Sequence, residues 1–141
     1  MIKFFQSIFL CITIWVLTAL INTIIGGSYL LLNANDYYPW PGNYGLVFGF
    51  TLFFSVPAMF FFWIALLINW EDVNLFRFLL KAGFILSALF STLLYFLPTD
   101  LPVSQVFVMT LCIVVASIAS IMIHHSVIQS ISNKQITVDH V

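Results

Sequence analysis

From Phe4 to Leu32 the chain reads FFQSIFLCITIWVLTALINTIIGGSYLLL, without one charged residue. A helix needs about twenty such residues to cross the hydrocarbon of a bilayer. No other feature narrows the possible folds as much. Three more segments come close to the same length and character: Gly45 to Ile68, Leu75 to Leu97, and Val103 to Ile131. Lipid offers the backbone no hydrogen-bonding partner, so a spanning segment must satisfy its N–H and C=O groups internally, as a helix does. The expectation is an all-α membrane protein, residues 1–141 forming one domain of four transmembrane helices in an antiparallel bundle.

The rest of the composition agrees. Of 141 residues, 62% are hydrophobic and 6% charged, and the mean hydropathy is +1.12; a soluble domain carries a far larger charged surface. The formal net charge of −1 gives no basic patch to attract nucleic acid. Lys3 followed by an apolar run imitates a secretory signal. The run is longer than a signal's apolar region, and Ile8, Phe9 and Leu10 ahead of Cys11 are not the small residues of a lipoprotein processing site, so it reads as a retained first span. Cys11 and Cys112 both fall inside apolar runs and lack the spacing of a redox or zinc pair, which points to two small hydrophobes and no disulfide.

Orientation follows from the basic residues. Lys3, Arg77, Lys81 and Lys134 all fall on one side of the four-span map. The positive-inside rule then puts both termini in the cytoplasm, with the protein multi-pass in a bacterial inner membrane or its equivalent. The short Asn69 to Asn74 connection makes its two spans neighbours, and PTDLP ends one helix and begins the next through Pro98 and Pro102. Arg77 and Lys81, four apart on one helical face near Glu71 and Asp72, read as an interfacial ion cluster or a contact for a lipid head or cytoplasmic partner.

Helices in lipid associate by close backbone approach and a few hydrogen bonds, so small and polar residues mark the packing faces. In span one these are Ser7, Cys11, Thr18, Asn22 and Gly26; in span three Gly83, Ser87 and Ser91; in span four Cys112, Ala116 and Ser120; and in span two Gly45, Gly49, Ser55, Ala58 and Ala65. Asn22, the most deeply placed strongly polar side chain, is expected to hydrogen-bond another helix. Pro57 lacks an N–H and crowds the carbonyl one turn earlier, so span two should kink. The phenylalanines around it, from Phe50 to Phe62, are too many for one face, and some must meet lipid or a partner.

Chemistry is sparse. His124 and His125 are the strongest metal or haem candidates, but adjacent helical residues point about 100° apart and no second histidine lies on another span. They read as interfacial anchors. No embedded carboxylate exists to couple a proton or ion, and no catalytic set is assembled at depth. No cofactor is implied, and the chain is not expected to be an enzyme. Outside the spans, YYPWPGNYG places Tyr37, Tyr38, Trp40 and Tyr44 at one membrane boundary, an aromatic anchor and a candidate docking surface for a partner or ligand. The expected function is interaction: a small subunit, accessory or immunity-type factor of a larger membrane assembly. An oligomeric pore, passive transporter or membrane-disrupting effector lined by Ser and Thr is the alternative. The expected partners are the bilayer and another membrane protein or a second copy, with no nucleic acid.

Overall fold

Each of the four apolar runs is helical in the computed structural model, which describes residues 2–33, 42–70, 72–96 and 102–136. The helices are α1 (Ile2–Asn33), α2 (Gly42–Phe54), α3 (Val56–Ile68), α4 (Leu75–Ser91), α5 (Val103–Ile123) and α6 (His125–Ile136), with a 3-10 turn at Thr92–Phe96 extending α4. Among the described residues three helices are long and apolar enough to cross a membrane by themselves, and α2 with α3 makes a fourth span if the bent pair is one crossing. The many β-branched residues of α1 do not interrupt it, because in hydrocarbon the unmet backbone groups of a break cost more than weak helix propensity.

The second span is divided where the sequence places its proline. Between α2 and α3 the axis turns by 50°. Pro57 occupies the first turn of α3, where a missing N–H is tolerated, and the break falls at Ser55, two residues earlier. The fourth span departs from the expected continuous helix. It breaks at His124, whose backbone sits at φ −85°, ψ 8°. There the Ser120 carbonyl faces both the His124 N–H at 3.3 Å and the ring Nδ1 at 2.8 Å, so side chain and backbone share one acceptor. The chain then resumes as α6 through the Ile128 N–H to His124 carbonyl bond, 3.0 Å.

Contacts between α1 and the second span form a ladder in which residue numbers rise on one side as they fall on the other. Trp63 Nε1 donates to Ser7 Oγ (3.2 Å), Cys11 Sγ to the Met59 carbonyl (3.6 Å), Trp15 Nε1 to Ser55 Oγ (2.7 Å) and Asn22 Nδ2 to Thr51 Oγ1 (2.8 Å), while Ser28 Oγ meets Tyr44 Oη at 3.2 Å. On its other side α1 packs on α5, where Ser120 Oγ donates to the Ile14 carbonyl at 2.8 Å with the serine fully buried. Helix α4 completes the set against α5 and α3. The continuous apolar core lies toward one end, where Leu10, Ile14, Phe62, Leu66, Leu79 and Ile121 meet, capped by Trp70, Leu75 and Ile128.

Gly45 and Gly49, expected at a packing face of span two, stand in open space. The helical period explains it: Tyr44 and Thr51 turn toward α1 in the ladder above and Val47 between them is buried, which carries positions 45 and 49 round to the far side. The close approach there belongs to Gly27 of α1. A Cβ on it would sit 2.6 Å from Cδ1 of the Tyr44 ring.

Candidate functional site

Polar side chains decide where anything other than hydrocarbon can be held at membrane depth. Most hydroxyls here are already used within their own helix: Thr18 donates to the Ile14 carbonyl (2.8 Å), Ser87 to Phe84 (3.1 Å), Ser91 to Ala88 (3.1 Å) and Thr110 to Val106 (3.0 Å). Such bonds make the group nearly neutral toward lipid. Others also reach across helices, and two such clusters lie at the bend of the second span. Ser55 Oγ donates to the carbonyls of Thr51 and Leu52 in the last turn of α2 and accepts from Trp15 Nε1. Its hydroxyl thus adds a side-chain bond to the last turn of α2, where the Thr51 carbonyl also accepts the Ser55 N–H at 3.1 Å, and ties the bend to α1. One turn away, Thr51 Oγ1 donates to the Val47 carbonyl (2.7 Å) and accepts from Asn22 Nδ2.

Asn22 is 1% exposed, and its Oδ1 is the one buried side-chain nitrogen or oxygen without a hydrogen-bond partner among the described residues. An amide oxygen with no donor in a low-dielectric setting costs on the order of 1–3 kcal/mol. This atom lies beside Gly26 and Met109: a Cβ built on Gly26 would be 3.5 Å from Oδ1 and 3.3 Å from Met109 Cε.

The bend also opens a cleft. Helix α3 packs on α4, but α2, turned away by 50°, leans on α1 and leaves the flank of α4 uncovered. A space of about 560 Å³ results, bounded by α1, the bent span, α4 and α5. That volume is in the range of small-molecule sites, roughly 300–1,000 Å³. Its walls are chiefly apolar, from Phe50, Phe54, Leu86, Phe90 and Ile113, and its polar points include Asn22, Thr51, Ser55, Ser87 and Gln105. Among the described residues no acidic residue, basic residue or histidine lines it.

Among the other residues singled out from the sequence, Gly26, Gly83, Ala116 and Ser120 are buried at helix contacts. A Cβ on Gly83 would collide with Ile121 Cδ1. Tyr44 is half-buried and bonded to Ser28, so it belongs to the α1 contact; Tyr37, Tyr38 and Trp40 lie outside the described residues. Arg77 and Lys81 are exposed and, with Asp72, Asn74 and Phe78, surround a shallow hollow at the end of the bundle that carries Trp70. His124 is held by the Ser120 carbonyl, and the His125 ring packs edge-on against Phe76 with centroids 4.3 Å apart. Among the described residues no three His, Cys, Asp or Glu side chains gather closely enough to hold a metal ion, and Cys11 and Cys112 are buried free thiols.

A search for small residues passes over the bulky ones that shape the cleft. Trp15 is four residues from Cys11 and seven from Asn22, so the period alone puts it on their face. Met109 and Thr51 carry no such signal, because their place depends on how far α2 swings. Comparison with protein-family models, curated proteins and solved structures finds no match for this chain.

Proposed function

We propose that the chain is a non-catalytic, multi-pass membrane protein that acts by interaction, as a small subunit or accessory factor of a larger membrane assembly. In this reading its four spans form an antiparallel bundle with both termini in the cytoplasm, where Lys3, Arg77, Lys81 and Lys134 favour that side. The supporting observation is the aromatic ridge on the outer surface of the bent span. Phe50 stacks on Phe54 (5.3 Å, 9° between planes), Phe53 meets Phe54 edge-on, Phe60 meets Phe61, and Phe61 stacks on Phe90 of α4. All but Phe90 are exposed, Phe53 by 75%. Solubility in lipid asks only for aliphatic side chains. Two groups of packed rings, one on α2 and one from α3 to α4, form preorganised patches instead, and helix association in a bilayer depends on packing quality. The occupant proposed for this ridge is a transmembrane helix of a larger protein.

Photo-crosslinkers placed at Phe53 and Phe60 in the native membrane, followed by purification in mild detergent, test the reading. A single larger membrane protein recovered at fixed ratio, and lost when Phe53 and Phe60 are both changed to Leu, is the expected result. Recovery of the chain alone as a monomer overturns it. A closed homo-oligomer that leaks ions from liposomes replaces it with the pore alternative, for which the inward-bonded hydroxyls of Ser87, Ser91 and Thr110 offer little lining.

A further inference from the structure

The cleft at the bend is long, uncharged and almost wholly apolar, and beside it sits one amide oxygen with no donor. Along α1 its wall runs from Cys11 to Leu30, about 28 Å at 1.5 Å per residue. That nearly matches the ~30 Å hydrocarbon thickness of a bilayer. An extended hydrocarbon chain matches that shape, a long apolar cleft of about 560 Å³, within the range of small-molecule sites.

The polar point narrows the chemistry. Asn22 Nδ2 is committed to Thr51 Oγ1, so what the site lacks is a donor to Oδ1. With no acidic, basic or histidine side chain in the walls among the described residues, nothing there would balance a charge on the occupant. Asn22 also lies ten residues along α1 from Leu32, about 15 Å in from that end of the span, deeper than a phosphate-bearing head group can follow. A buried water needs two to four polar partners. The corner beside Oδ1 is closed by Gly26 and the Met109 thioether, which supply no strong one. Met109 has three rotatable bonds and can yield to an entering group.

We propose that the cleft binds a neutral lipid alcohol, whose hydroxyl donates to Asn22 Oδ1 while its chain lies along α1 in the gap between α2 and α4. The cleft shares Phe50, Phe54 and Phe90 with the aromatic ridge, but the binding proposed here does not rest on the subunit reading.

The full chain in phosphatidylcholine nanodiscs, offered geranylgeraniol or its methyl ether, tests this by native mass spectrometry and competition. The ether keeps the chain and lacks the donor. The wild type should retain one alcohol per chain and bind the ether roughly fivefold more weakly, the effect of one intramembrane hydrogen bond. Asn22→Leu should weaken the alcohol by the same roughly fivefold and leave the ether unchanged. Ala58→Phe, which fills the cleft from α3 without touching Asn22, should exclude both. Equal affinity for alcohol and ether in the wild type, no lipid retained, or binding that survives Ala58→Phe overturns the proposal. Asn22→Leu should still copurify with any larger partner, so failure here and failure of the subunit reading are separately visible.

Discussion

At the end of the bundle that carries Trp70, Leu75 and Ile128, the spans meet around a continuous apolar core, with Leu66, Leu75, Leu79, Ile121 and Ile128 fully buried. Toward the other end, beyond Ser55, α2 stays close to α1 through Trp15 to Ser55, Asn22 to Thr51, Ser28 to Tyr44 and Gly27 against Tyr44, and parts instead from α4. Between α2 and α4 lies the cleft. The difference teaches what a bend does in lipid. Apolar burial gives little net drive when the solvent is itself hydrocarbon, so stability rests on fit. Where the axes run close, fit is supplied by interdigitation. Where the second span swings away from α4 by 50°, α2 keeps its fit to α1 with directed bonds added to close packing, and the flank of α4 is left open.

The sharpest way to break this contrast is to spoil the fit at the tight end. Gly83→Leu inserts a branched side chain where even a Cβ meets Ile121. Forced separation of α4 from α5 should cost about 3 kcal/mol, read by equilibrium unfolding in mixed detergent micelles. A loss well under that would mean α4 can slide and the tight end is not tight.

At the looser end a smaller cost is expected. Gly27→Ala places a methyl 2.6 and 2.8 Å from two carbons of the Tyr44 ring, and should destabilise by about 1–2 kcal/mol. Adding Tyr44→Ala should recover part of that loss, a favourable coupling of about 1 kcal/mol in a double-mutant cycle. Additive losses would show that ring and backbone already move apart freely.

Next in size is Ser120→Ala, which removes the buried bond to the Ile14 carbonyl. That carbonyl also accepts from Thr18 Oγ1, so it is not orphaned, and the loss should be about 1 kcal/mol or less, measured in the same micelles. A much larger loss would mean the seam between α1 and α5 depends on this one bond more than on packing.

The sequence carries the spans because their signal is additive over many residues: length, absence of charge and the punctuation of PTDLP and Pro57 each point the same way. It also carries Asn22 and Ser87 as residues of interest, since polar groups at depth are few. It does not carry that these two share one cleft with Ser55, for that depends on a bend angle, and periodicity fixes which face a residue occupies without fixing how far the next helix stands. The same gap explains Gly45 and Gly49, which carry the small-residue signature and face open space, and Gly27, whose contact depends on the rotation of α2. The break at His124 is missed for a different reason: it arises from one imidazole competing for the Ser120 carbonyl, a local bond that hydropathy does not register.

Whether the looser end is bent by its own sequence or held bent by its neighbour is the finest distinction. Two causes act at one place. Pro57 withholds an N–H and crowds α2, while Trp15 grips Ser55 from α1. Trp15→Phe removes only the second, and Ser55 Oγ keeps its bonds to the Thr51 and Leu52 carbonyls, so the stability loss should be about 0.5 kcal/mol. If the proline sets the angle, spin labels on α2 and α4 should report an unchanged separation in Trp15→Phe and a shorter one in Pro57→Ala, where a restored N–H lets the span straighten across the cleft. Straightening in Trp15→Phe alone would reverse the assignment. The bend would then be a property of the α1 contact, and the cleft would open and close with it.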